Sequence, residues 1–274
     1  MPFVHAIVYG LISGFTQFLP ISASAHQNLY SFITGYQPHT PFLSLMVLLG
    51  CFAALIFCTY SRLTHLYREM RIYSLSKKRR NRVPDMQAVL DVHLLLFSLV
   101  PMVLGYLLRH KILPFVTGLT WLSFMLIISG ILLYAPQFFR QGNRDSRDMG
   151  PFDGIFLGIW CAFSVVPGIS AVAIILYFFR AKFCSRTYSL DMALLLQLPL
   201  ILIPMIGQLF TLLQGSTLTG TDWLLGGICG IAAFLTGYGA ITLMRYFAVK
   251  LDFHGIAFYC WGASVFCFLY YLIT

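Results

Sequence analysis

The sequence predicts an all-α integral membrane protein, with six transmembrane helices plus two re-entrant helical hairpins in an inverted-topology repeat. Three observations predict it. Of 274 residues, 59% are hydrophobic and 10% charged, with mean hydropathy +0.81, against roughly 45–50% and about 25% in soluble domains. The apolar residues form continuous runs, not the alternation of a barrel strand. Two short apolar segments stop at similar breaks, Pro20-Ile21-Ser22-Ala23 and Pro167-Gly168-Ile169-Ser170-Ala171. A soluble cytosolic enzyme of this composition would expose too much apolar surface and is excluded.

Each element follows from the need for roughly 20 apolar residues per span. Residues 4–18 are apolar but too few to cross comfortably. Pro20 ends them, because proline lacks the N–H a helix needs. Ser22, Ser24 and His26 follow, and Gly35 and Pro38 mark another break. Residues 1–40 therefore form a hairpin that dips into the membrane and returns. Residues 42–60 make the first span and 61–88 a basic loop. Residues 89–108 span next, despite Asp91 and His93, and 119–139 form the third span. Residues 140–153 are a polar cytoplasmic linker. Residues 154–166 are again too short, stopped by Pro167, and 172–179 return. Residues 190–213, with Pro199 and Pro204, then 223–244 and 255–273 complete the set. The first repeat is 1–139 and the second 154–274, within one membrane domain.

The net charge of +9 would suggest nucleic acid in a soluble protein. Here its placement fixes topology instead, and no nucleic-acid partner is expected. With both hairpins non-crossing and loop 61–88 inside, segments 61–88, 140–153, 180–187 and 245–252 face inward. They hold 16 of the 18 Lys and Arg, leaving Arg109 and Lys111 outside, as the positive-inside rule requires. Residues 77–80, Lys77-Lys78-Arg79-Arg80, read as a loop touching anionic headgroups. Ala23-Ser24-Ala25 resembles a signal-peptidase site, but no Lys or Arg precedes Arg62, so no basic leader region supports cleavage. The seven cysteines form no Cys-x-x-Cys pair. They read as small apolar residues, with no disulfide framework and no metal site.

Interrupted segments at matching places in two halves mark a site where the breaks meet. Helix N-termini there attract anions, phosphate above all. Ser22, Ser24, His26, Gly168 and Ser170 are the candidate residues, and a phosphate-bearing lipid headgroup suits them. Helix capping alone would explain the serines but not the ionisable His26 beside them.

The residues 14–26, Gly14-Phe15-Thr16-Gln17-Phe18-Leu19-Pro20-Ile21-Ser22-Ala23-Ser24-Ala25-His26, resemble the first motif of the undecaprenyl-diphosphate phosphatase (bacitracin-resistance) family, E-G-x-T-E-F-L-P-[VI]-S-S-T-G-H. Residues 167–173, Pro167-Gly168-Ile169-Ser170-Ala171-Val172-Ala173, resemble its second, P-G-x-S-R-S-G. The resemblance covers the whole chain. It implies six spans and two re-entrant hairpins in a bacterial plasma membrane. It also implies a divalent cation, Mg²⁺ or Ca²⁺, and removal of one phosphate from undecaprenyl diphosphate at the outer leaflet, which recycles the lipid carrier of cell-wall synthesis. Expected partners are a polyprenyl (di)phosphate lipid and the bilayer, and a homodimer stays open.

The departures fall on the chemistry. Ser13 and Gln17 stand where the family has Glu, Ala23 where it has its second Ser, and Ala171 where it has Arg. An amide cannot replace a carboxylate on a metal, and an Arg on a transferring phosphoryl group contributes several powers of ten. Glu69 is the sole Glu, in the basic segment, and Asp91 and Asp191 sit near inner span ends. Two functions stay open. One is hydrolysis by a rebuilt site, with His26 as base or nucleophile, Ser24 beside it and Gln17 at the Glu position. The other is binding or transport of the lipid, with Ser22, Ser24, Gly168 and Ser170 holding the headgroup.

Overall fold

In the computed structural model the described residues are 2–36, 41–76, 82–116, 118–140, 142–215, 218–250 and 252–273. They form ten α-helices: α1 (Pro2–Phe18), α2 (Ala23–Thr34), α3 (Pro41–Ser74), α4 (Met86–Ile112), α5 (Leu119–Tyr134), α6 (Pro151–Ala162), α7 (Ala171–Ala181), α8 (Arg186–Leu213), α9 (Gly220–Lys250) and α10 (His254–Ile273). Among the described residues there is no named strand. Six helices, α3–α5 and α8–α10, are long and apolar enough to cross a membrane. Their outward faces are apolar, with Val100, Phe210 and Ile231 each 63% exposed. Such a surface requires an apolar surrounding, and the chain is a multi-pass membrane protein.

Helix ends follow local chemistry. Gly35 closes α2 in the left-handed conformation, its N–H donating to the Ser31 carbonyl. Pro41 and Pro151 open α3 and α6, where a missing N–H costs nothing, and the Asp153 carboxylate accepts from the Gly150 N–H at 2.9 Å. Three expectations need correction. Residues 61–74 continue α3 as helix instead of forming a loop. Residues 245–250, expected beyond the end of the 223–244 span, continue α9 as helix. Residues 186–189 belong to α8. Arg, Glu, Lys and Met favour helix, so the apolar count alone underestimates helix length. Pro38 and the run 77–80 lie outside the described residues.

Buried polar ties hold the α3, α4 and α8 ends together. Asp91 is fully buried, ion-paired with Arg62 of α3, and accepts the Tyr188 hydroxyl of α8 at 2.7 Å. Glu69 pairs with Arg82 and accepts the Asp85 N–H at 3.0 Å. Both carboxylates are committed to structure and lie outside the cavity described below. Between helices α5 and α6 the Asp145 carboxylate, gripped by Arg147, is held below its ordinary range.

α1 packs along α9 and α6 along α4, α5 pairs with α10, and α3 packs along α9 and, less closely, α8. Helices α1 and α6 approach their partners through glycines four residues apart, Gly10 and Gly14 in α1, Gly154 and Gly158 in α6. A Cβ on Gly14 would lie 2.6 Å from the Ala233 Cα, and one on Gly158 would lie 2.8 Å from the Ser98 Cα. Such spacing lets helix backbones meet. Gly14→Ala should therefore destabilise the detergent-purified protein by about 1–3 kcal/mol, read as a lower unfolding temperature. Gly227→Ala, in open space on α9, should be neutral or slightly stabilising, since Ala is the better helix former. Equal effects would contradict the glycine seam.

Candidate functional site

Two interruptions, between α1 and α2 and between α6 and α7, build the site. At the first, Ser22 has φ 67° and ψ 106°, a left-handed conformation rare for any residue but glycine and costing on the order of 1–3 kcal/mol. Its hydroxyl accepts from the Ala25 N–H at 3.3 Å and lies 3.2 Å from Ser24 Oγ. At the second, Gly168 has φ 102°, and a Cβ there would lie 2.5 Å from the Met125 Cβ. Conformation and space both require glycine. Ser170 caps α7, accepting from the Ala173 N–H at 3.3 Å.

Ser129 of α5 is fully buried and serves the second break twice. It donates to the Gly168 carbonyl at 3.0 Å and accepts from the Ser170 N–H at 3.0 Å. The Gly168 N–H in turn donates to Ser24 Oγ at 3.4 Å. That bond joins the two breaks directly.

Between them lies a cavity of about 810 Å³, with Gln17, Ser22, Ser24, Ser170 and Ala171 in its wall. The N-termini of α2 and α7 both border it. Gln17 Nε2 donates to Gln197 Oε1 of α8 at 3.1 Å. One turn earlier on α1, Ser13 is buried and accepts from Gln27 Nε2 at 2.9 Å. The two positions that carry Glu in the family motif are thus each tied to a neutral amide.

His26 stands elsewhere. The expected convergence with Ser170 holds for Ser22 and Ser24, whereas His26 lines a separate groove of about 990 Å³ with Tyr30 and Tyr259. The reason is helical period. Ser24, Gln27, Asn28 and Ser31 form the cavity face of α2, and two residues on, the chain has turned by about 200°. His26 Nδ1 donates to the Ser22 carbonyl at 2.9 Å. Its Nε2 then accepts from the Tyr259 hydroxyl at 2.8 Å, on a ring stacked at 5.7 Å. Gly168 is not in the cavity wall and acts through its backbone bonds.

Among the described residues the wall contains hydroxyls and amides but no Asp or Glu. Among the described residues no group of three or more His, Cys, Asp and Glu is placed to hold a metal. Mg²⁺ and Ca²⁺ sites are built on carboxylate oxygens, so the residues present do not fit a divalent cation. Gln197, Ser129, Tyr106 and Arg109 belong to the site or its support and escaped the sequence reading. A lone Gln inside the apolar run 190–213 was the available signal, because polar groups in spans mark function or packing.

Ser129→Ala would leave the Gly168 carbonyl without its donor and the Ser170 N–H without its acceptor. Each orphaned buried group costs about 1–3 kcal/mol. Thermal unfolding in detergent should shift down measurably, and an unchanged unfolding temperature would contradict the role given to Ser129.

The family model described as "Bacitracin resistance protein BacA" matches residues 6–266. Curated relatives cover nearly the whole chain. The chain is similar to "Undecaprenyl-diphosphatase" of Alkaliphilus metalliredigens, 22% identical, covering 98% of each chain. It is similar to "Undecaprenyl-diphosphatase 2" of Halalkalibacterium halodurans, 27% identical over 99% of this chain and 97% of the relative. It is similar to "Undecaprenyl-diphosphatase" of Pelotomaculum thermopropionicum, 25% identical over 100% and 94%.

Proposed function

The chain belongs to the bacitracin resistance protein BacA family, and from that premise we propose that its cavity holds the phosphate end of a polyprenyl phosphate or diphosphate. Hydrolysis of undecaprenyl diphosphate, for which its relatives are named, is strongly reduced in this chain. One observation carries the reading. The cavity keeps its serines and two helix N-termini, while Ser13 and Gln17 are bonded to amides and Ala171 offers no charge.

Binding and hydrolysis make different demands. A headgroup needs donors, and Ser22, Ser24 and Ser170 with the α2 and α7 N-termini supply them. Hydrolysis needs groups that stabilise charge growing in the transition state. A hydroxyl at position 13, a neutral amide at position 17 and a methyl at 171 do not provide them. His26, on the far face of α2, supports no step inside the cavity.

The half-exchange pairing of α1 with α9 and α6 with α4 supports an inverted repeat with re-entrant hairpins, and it favours a second reading, lipid movement by alternating access. The distribution of basic residues supports segment 61–88 facing inward and the cavity facing the outer leaflet, and the family supports a bacterial plasma membrane.

Phosphate release from undecaprenyl diphosphate tests the proposal. Ser13→Glu, Gln17→Glu, Ala23→Ser and Ala171→Arg combined should raise turnover about a hundredfold or more with Mg²⁺ present. Any one alone should do little, because such groups act as a unit. Native turnover equal to that of a variant that still binds the lipid would contradict the reading.

A further inference from the structure

The last turn of α4 carries Arg109, His110 and Lys111. Of these only Arg109 reaches the cavity wall, with Tyr106 one turn before it. The Arg109 guanidinium carbon lies 4.0 Å from the centre of the Tyr106 ring, a cation–π arrangement that fixes the plane of the fork and leaves its N–H edges available. Among the described residues Arg109 makes no ion pair. Among the described residues the wall contains no other Lys, Arg or His, and no Asp or Glu. Of these residues, Arg109 alone brings a charge to the cavity, and it is positive.

Tyr106 seats this charge through its ring face. Its hydroxyl points away, against α8, where a Cβ on Gly207 would lie 2.0 Å from it, and Gly207 is outside the wall. A cation without an ion pair among the described residues, five serines and two helix N-termini line one space. A ligand rich in acceptor oxygens and carrying negative charge would satisfy them. The planar fork of Arg matches phosphate oxygens two at a time.

We propose that Arg109, seated on Tyr106, is the cationic group that grips the lipid phosphate in this chain, replacing from α4 the charge that position 171 lacks on α7. The inference rests on the reading of the cavity as a polyprenyl-phosphate headgroup site. Ala171 and Arg109 share the cavity wall, so the charge has moved from one side of the space to another. In its new place it holds a ground-state headgroup, and the carboxylates needed for hydrolysis are still missing. A helix C-terminus also attracts cations, but that serves Lys111 equally, and Lys111 lies outside the wall.

The test measures binding of undecaprenyl phosphate and of undecaprenol to the purified full chain in one detergent. The native protein should prefer the phosphate. Arg109→Gln should weaken undecaprenyl phosphate at least tenfold and leave undecaprenol binding and unfolding temperature unchanged. Arg109→Lys should recover part of the loss, Tyr106→Leu, which removes the ring under the guanidinium, should weaken the phosphate several-fold, and Lys111→Gln should change nothing. If native protein discriminates the two lipids and Arg109→Gln binds the phosphate as tightly, the assignment to Arg109 is wrong and the cavity reading stands. If native protein does not discriminate, the cavity reading itself fails. Should Arg109→Gln not fold, Arg109→Lys and Tyr106→Leu decide: weakened phosphate binding supports the assignment, and native affinity in both overturns it.

Discussion

A helix interrupted among packed apolar neighbours leaves backbone N–H and C=O groups that must find partners inside the protein. Much of this structure answers that demand. Ser129 satisfies one carbonyl and one N–H of the second break. Ser24 accepts the Gly168 N–H and so makes the first break part of the second's solution. Ser22 and Ser170 cap the helices that leave the two breaks. Ser22, Ser24 and Ser170 of this set also line the cavity. A polar, donor-rich space surrounded by apolar spans is a direct consequence of breaking two helices side by side.

That space can exist only because α1 and α6 are held close against α9 and α4. Gly10 and Gly14 on one side and Gly154 and Gly158 on the other allow the approach. Van der Waals contact between backbones takes the place of the hydrophobic driving force that lipid surroundings remove. Ion pairs away from the cavity, Asp91 with Arg62 and Glu69 with Arg82, secure helix ends. They use up carboxylates that a hydrolytic site would need. Among the described residues the cavity wall is left with a neutral amide, Gln17, where an acid stands in the family motif, and a single cation on α4.

Much of this was legible in the residues. Six spans follow from continuous apolar runs, and both breaks follow from a proline beside a serine. Span ends were not legible, because charged residues such as Arg62, Glu69 and Arg245 continue a helix as readily as they end an apolar run. The serines of the site could be named from the breaks, while their supporter Ser129 sits in a span with no local mark. His26 was grouped with Ser24 by closeness in sequence, although helical period puts them on opposite faces of α2. Arg109 read as a loop charge, because only packing shows that α4 delivers it to the cavity and its neighbour Lys111 outside.

The central claim is that the two breaks enclose one lipid-phosphate site. An experimental density map of the protein with undecaprenyl phosphate tests it most directly. The account predicts phosphate density in the cavity between Ser24 and Ser170, with the Arg109 guanidinium within hydrogen-bond distance. Phosphate density in the groove beside His26 and Tyr259, with the cavity free of lipid, would contradict it.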